Sequence, residues 1–187
     1  MHPLARAAAQ ELGGEDDVQV ALLVSGTGYA PGTHLFAIHQ WQFTGLKEDA
    51  LLVPVVADDS IGRDLMRLME EAYDAGDIPM PSSSEFDALD GWHYVTWQAR
   101  RERHQEETAE IARFRRDSLE TSHRARLATL QEQLARAGDG RIRRMRSAQV
   151  ARAEAEHAQA LAELAKAEQR ADILFRRVAT GVLVVES

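Results

Sequence analysis

From Gln98 to Ala137 the chain contains neither proline nor glycine, and alanine, glutamate, arginine, glutamine and leucine dominate it. These are the strongest helix formers. Gly138-Asp139-Gly140 then interrupts the pattern, and a second helical run extends from Arg141 to Asp172. At 1.5 Å per residue the two runs would reach about 60 Å and about 48 Å, too long for core helices of a small domain. Leu127, Leu130, Leu134 and Ala137 form an apolar stripe on the first run; Ile142, Met145, Ala153, Ala160, Leu164, Ala167 and Ala171 form one on the second. A short glycine turn between two such helices predicts an antiparallel coiled-coil hairpin over 98–174, its turn at 138–140. Two helices that each pair with another chain would carry the same stripes, and that alternative stays open.

The remainder changes period. Leu4 to Leu12 predicts a short helix stopped by Gly13-Gly14. Val18 to Val24, Thr33 to Phe43 and Ala50 to Ala57 read as strands, the second buried on both faces at first and half exposed at its end. Pro54 cannot donate to a ladder, which places the third strand at an edge or a bulge. Ile61, Leu65, Leu68, Met69 and Ala72 give an amphipathic helix, introduced by Asp58-Asp59-Ser60 as capping residues and ending near Gly76. Pro79, Pro81 and the serines at 82–84 read as a loop that runs to the aromatic group Trp92-His93-Tyr94-Val95-Thr96-Trp97. Val178 to Val185 supplies a last strand. The expected fold class is therefore α+β: a small antiparallel β-sheet with flanking helices, and a long protruding antiparallel helical hairpin inserted before the last strand. The body comprises 1–97 plus 175–187.

Charge divides the chain in the same way. Residues 1–97 carry 16 acids and 4 bases, residues 98–187 carry 14 acids and 18 bases. With no cysteine, disulfides, thiolate zinc sites and cysteine nucleophiles are excluded, and a reducing cytoplasm is the expected compartment. No apolar run approaches the roughly 18 residues of a membrane span, so no membrane partner is expected. The two lysines, Lys47 and Lys166, lie outside any phosphate-loop context, and Gly26-Thr27-Gly28 reads as a turn. His34 and His39, five apart on a strand, point to opposite faces and do not suit a shared metal. His123 and His157 fall on opposite arms of the hairpin and could meet across it, a match expected without function. Asp16-Asp17 and Asp58-Asp59 could hold a cation, though caps and turns explain them equally. No catalytic, metal or cofactor site is assigned. The aromatic group at 92–97 could stack on bases, with packing the preferred role.

One cluster remains. Between Ala135 and Arg152 six arginines, Arg136, Arg141, Arg143, Arg144, Arg146 and Arg152, accompany a single acid, Asp139. The guanidinium fork suits phosphate or carboxylate. These six are the candidate nucleic-acid-binding or partner-binding residues, against the alternative of a solvated helix face.

The order of pieces resembles a known family. His2-Pro3-Leu4-Ala5-Arg6, a strand, Pro31-Gly32-Thr33-His34-Leu35-Phe36 leading a second strand, Leu52-Val53-Pro54, a long hairpin, and Arg170-Ala171-Asp172-Ile173 passing into a hydrophobic strand are similar to the C-terminal region of bacterial Swi2/Snf2-type ATPases and helicases, RapA-like in outline. The resemblance implies an accessory, non-catalytic C-terminal domain of a DNA-dependent motor. Its ATP and Mg would belong to motor lobes preceding His2, and its partners would be double-stranded DNA, a polymerase or defence-complex subunit, and those lobes. His2-Pro3-Leu4 directly after Met1 reads as a fragment with an added initiator. The basic tip matches no motif of the family. A free-standing structural or adaptor coiled-coil protein is the rival expectation.

Overall fold

A computed structural model describes residues 18–25, 28–57, 59–76, 78–79 and 81–186. The helix expected over 4–12, the carboxylates Asp16-Asp17 and Asp58, and Gly26-Thr27 lie outside the described residues.

Five strands, β1 (Val18–Ser25), β2 (Gly32–Thr44), β3 (Asp49–Val56), β4 (Tyr73–Asp74) and β5 (Asp172–Glu186), form one sheet in the order β3-β2-β5-β1-β4. Among the described residues three helices accompany them: α1 (Asp59–Glu71), α2 (Ser83–Ala135) and α3 (Gly140–Gln169). The α+β class expected from the sequence is present, with one amendment to the sheet. β1 pairs with β5 in parallel, from Val18 opposite Ala179 to Ser25 opposite Glu186, so the sheet is mixed rather than antiparallel throughout. A parallel neighbour needs a long crossover, and the helical segment before β5 is part of one here. β3 sits at an edge, a position in which a sheet tolerates proline such as Pro54. The two-residue β4, which has no signal in the sequence, closes the opposite edge by pairing antiparallel with Leu22 and Leu23.

The chain divides into two compact units. The first holds β1, β2 to Gln42, Asp49–Arg100 and the chain from Ile173. Alternation along β2 builds its core. Phe36 and Ile38 join Ile61, Leu65 and Leu68 of α1 and Leu183 and Val185 of β5 in one cluster, while Ala37 joins Phe86 and Leu89 of α2 in another. Ile61, Leu65 and Leu68 are at most 1% exposed, each worth about 1.5–3 kcal/mol of transfer free energy. Gly181 is the tightest point: a Cβ there would fall within contact distance of the Val20 carbonyl oxygen and 2.5 Å from Phe36 Cζ.

α2 starts fifteen residues earlier than the sequence reading placed it, because residues 83–97, read as loop, are helical. Ser82 and Glu85 supply the start: the Ser82 backbone N–H and hydroxyl both donate to Glu85 Oε2 at 2.8 Å, and the Glu85 N–H donates to the Ser82 carbonyl. The carboxylate half of a capping box is present, Glu85 accepting the Ser82 N–H, while the Ser82 hydroxyl donates to that carboxylate instead of accepting the Glu85 N–H. Those hydroxyl and amide bonds hold the Glu85 carboxyl below its usual range.

The second unit comprises Phe43–Glu48 and Arg101–Asp172. Its two arms pair with each other as an antiparallel hairpin: Arg116 with Glu168 and Arg126 with Glu156, each at 2.8 Å, and Arg143 Nη2 with the Ala137 carbonyl at 3.2 Å. Partner numbers rise on one arm as they fall on the other. Ala112, Ala153 and Leu164 are buried in the seam, the small side chains allowing close approach. At the open end Thr44 Oγ1 donates to the Arg170 carbonyl at 2.6 Å, and a His104 ring nitrogen meets the Thr44 carbonyl at 2.8 Å.

Candidate nucleic-acid interface

The arginine cluster occupies the turn of the hairpin and the first turns of α3, and its members fall into three groups. Asp139 sets the geometry. In an extended conformation (φ −87°, ψ 136°) its Oδ1 accepts from the N–H of Arg141 at 2.7 Å and of Ile142 at 3.1 Å, capping α3.

Arg136, just past the end of α2, is engaged by Glu132 of that helix, and Arg152 by Glu156 of its own helix at 2.8 Å. Glu156 also accepts from Arg126 across the seam, and the two guanidinium bonds, Arg152 first, hold its carboxyl below the usual range. Arg143 caps the Ala137 carbonyl near the end of α2, and Arg146 donates to Gln149 Oε1 at 2.8 Å. Arg141 and Arg144 make no ion pair or hydrogen bond through their side chains among the described residues, and both are exposed. They are three apart on a helix and share a face. Ile142 and Met145 belong to the expected seam stripe of α3, yet they are 47% and 49% exposed beside these arginines. The stripe engages the opposite arm only further along α3, with Ala153 buried.

The aromatic group at 92–97 divides. Trp92, Tyr94 and Val95 are exposed, whereas His93 is 1% exposed and Trp97 Nε1 donates to the Ile173 carbonyl at 2.8 Å. His93 belongs to a buried polar network that sequence reasoning missed. Its ring stacks on His39 with centroids 3.5 Å apart and planes 10° apart, and its Nε2 accepts from Trp41 Nε1 at 2.7 Å. His39 Nε2 lies 3.3 Å from Asp90 Oδ1, and Arg177 Nη1 donates to Asp90 Oδ2 at 2.8 Å. Burial, reinforced by the neighbouring His39 and opposed by Asp90, pushes His93 down to about 4. His93 is thus a neutral acceptor at pH 7. The signal for this network was the i, i+3, i+7 spacing of Phe86, Leu89 and His93, which an assignment to loop concealed.

His34 stands apart from this network, lining a cavity of about 620 Å³ with Glu85, Leu89 and Trp92. Among the described residues no group of three or more histidines and carboxylates could hold a metal, and no helix is long and apolar enough to cross a membrane. No protein-family model matches the chain, and no curated protein matches it either.

Proposed function

We propose that this chain is an accessory, non-catalytic module of a Swi2/Snf2-like DNA-dependent motor and that the hairpin turn contacts the phosphates of duplex DNA through Arg141 and Arg144. One observation carries the reading. Among the described residues Arg141 and Arg144, exposed on one helical face beside the turn, have no acid paired with them, whereas Arg116, Arg126, Arg136 and Arg152 of the same hairpin are paired with carboxylates; Arg115 and Arg124 share the lack of a partner but lie along the first arm, away from the turn. Neutralising a phosphate with each would release condensed counterions. ATP and Mg would act in the motor lobes, and this chain would serve as a contact surface. The resemblance in element order supports the assignment to that class of motor.

Titrating the chain with a duplex oligonucleotide over a range of salt concentrations tests it. The substitutions Arg141→Gln and Arg144→Gln together should reduce the slope of log affinity against log salt by about 2. An unchanged slope, or no binding at low salt, refutes the DNA contact.

Exposure of Ile142 and Met145 favours a second reading, in which the tip docks on an acidic protein surface, since interface cores are enriched in methionine and arginine. Replacing Ile142 and Met145 by serine should leave DNA binding intact under the first reading and abolish partner binding under the second.

A further inference from the structure

His123 of α2 and His157 of α3 face each other across the hairpin seam, ring centroids 4.0 Å apart and planes parallel to within 1°. Each occupies a position in the apolar stripe of its arm, with half-buried Leu119 and Leu127 one turn away on one side and Ala153 and Ala160 on the other. Leucine or alanine would fill such a layer better. Both rings are only half buried, and among the described residues no protein group forms a hydrogen bond with either. Their nitrogens therefore reach solvent while the helical backbones fix the separation of the rings. Glu156, the nearest acid in sequence to His157, is occupied by Arg126 and Arg152.

We propose that His123 and His157 form a two-histidine clamp for a divalent transition-metal ion of the zinc or nickel class. Imidazole suits these ions, whereas magnesium and calcium demand oxygen ligands. With metal–nitrogen bonds of about 2.0–2.1 Å, a tetrahedral centre needs its two nitrogens about 3.3 Å apart. The nitrogen lone pairs lie in the ring planes, which are parallel here, so each half-exposed ring must turn by roughly 50° about its Cβ–Cγ bond for both lone pairs to meet one tetrahedral ion. No third protein ligand stands with them among the described residues, so water completes the coordination. Bridging the arms ties α2 to α3 far from the glycine turn, and the ion binds the folded hairpin in preference to the unfolded chain.

The test uses the full chain with Zn²⁺, Ni²⁺ or Mg²⁺ alone, following helical ellipticity during thermal unfolding at pH 7.5. Zinc or nickel at a hundred times the dissociation constant should multiply the folded-to-unfolded ratio of the hairpin about 100-fold. Magnesium should do nothing. His123→Leu and His157→Leu restore an apolar layer, so each variant should stay helical and lose the metal response. A wild-type protein with no zinc or nickel response, or a response retained in either leucine variant, overturns the proposal. Paramagnetic Ni²⁺ provides a second readout independent of variant folding: the imidazole protons of His123 and His157 should broaden before those of any other histidine, and the opposite order overturns the clamp.

Discussion

Acid should destabilise the sheet-bearing unit through one side chain, His93. In the unfolded chain this imidazole titrates near 6.5, and in the folded unit near 4. Between those values the unfolded state binds a proton that the folded state refuses, so stability rises with pH across that window. The contribution is fully present above pH 6.5 and is lost as pH falls to 4. At 1.36 kcal/mol per pH unit the difference amounts to about 3 kcal/mol. The structural cause is specific: a protonated His93 would turn a donor toward Trp41 Nε1, which is itself a donor at 2.7 Å, and would place its charge against the His39 ring. Trp41, Trp92 and Trp97 all belong to this unit, so tryptophan fluorescence reports its unfolding separately from the hairpin. For a domain near 100 residues, 3 kcal/mol corresponds to a melting-temperature loss on the order of 10–20 °C between pH 7 and pH 4. His93→Gln keeps an acceptor for Trp41 but cannot titrate, and should flatten this dependence relative to wild type. An equal pH slope in wild type and variant would refute the assignment. Should the variant not fold, the His93 ring-proton resonance of the wild type decides, because a midpoint near 6.5 rather than near 4 contradicts the burial argument.

Gly181→Ala should destabilise the same unit by more than 3 kcal/mol, beyond the usual range for an overpacked core, since the new methyl would meet a backbone carbonyl that is held in the β1–β5 ladder; urea denaturation followed by fluorescence measures it, and a loss under 1 kcal/mol would contradict the geometry. Asp139→Ala should cost the hairpin about 1 kcal/mol through loss of the α3 cap, read as a lower helical melting temperature with the fluorescence transition unmoved. Neutralising Glu168 should cost well under 1 kcal/mol, because its pair with Arg116 is partly exposed.

The parts of the fold legible in the sequence were those written in local periodicity. The strands at 18–24, 33–43 and 50–57, the helix around Leu65, the Gly138-Asp139-Gly140 turn and the edge-or-bulge reading of Pro54 all rest on neighbours a few residues apart. The parallel pairing of β1 with β5 joins residues more than 150 apart in sequence, and no local pattern encodes such a partner. The early start of α2 was encoded, in Ser82 and Glu85, but Gly91 and the adjacent aromatics masked it. Gly91 is harmless because it faces open space, so its only cost is propensity, about 1 kcal/mol. Trp92, Tyr94 and Val95 sit on the outer face of the helix, and their bulk obscured the buried series Phe86, Leu89 and His93.

The six arginines read as one cluster in sequence because composition counts charge without regard to partner. Three dimensions separate them by what each guanidinium touches, and the separation turns on Asp139. α3 begins with Arg141, Arg143 and Arg144 and has no acid in its first turn, which places cations at the positive end of the helix dipole, unfavourable by roughly 0.3–1 kcal/mol each at an exposed site. The Asp139 carboxylate offsets part of this by accepting two N–H groups, and Arg143 swings back to the carbonyl of Ala137, where α2 presents the negative end of its own dipole. Arg141 and Arg144 have neither relief. Replacing both by glutamine should therefore raise the stability of the hairpin slightly while weakening DNA binding, and opposite movements in those two measurements distinguish a contact surface from a solvated face, for which binding would not change.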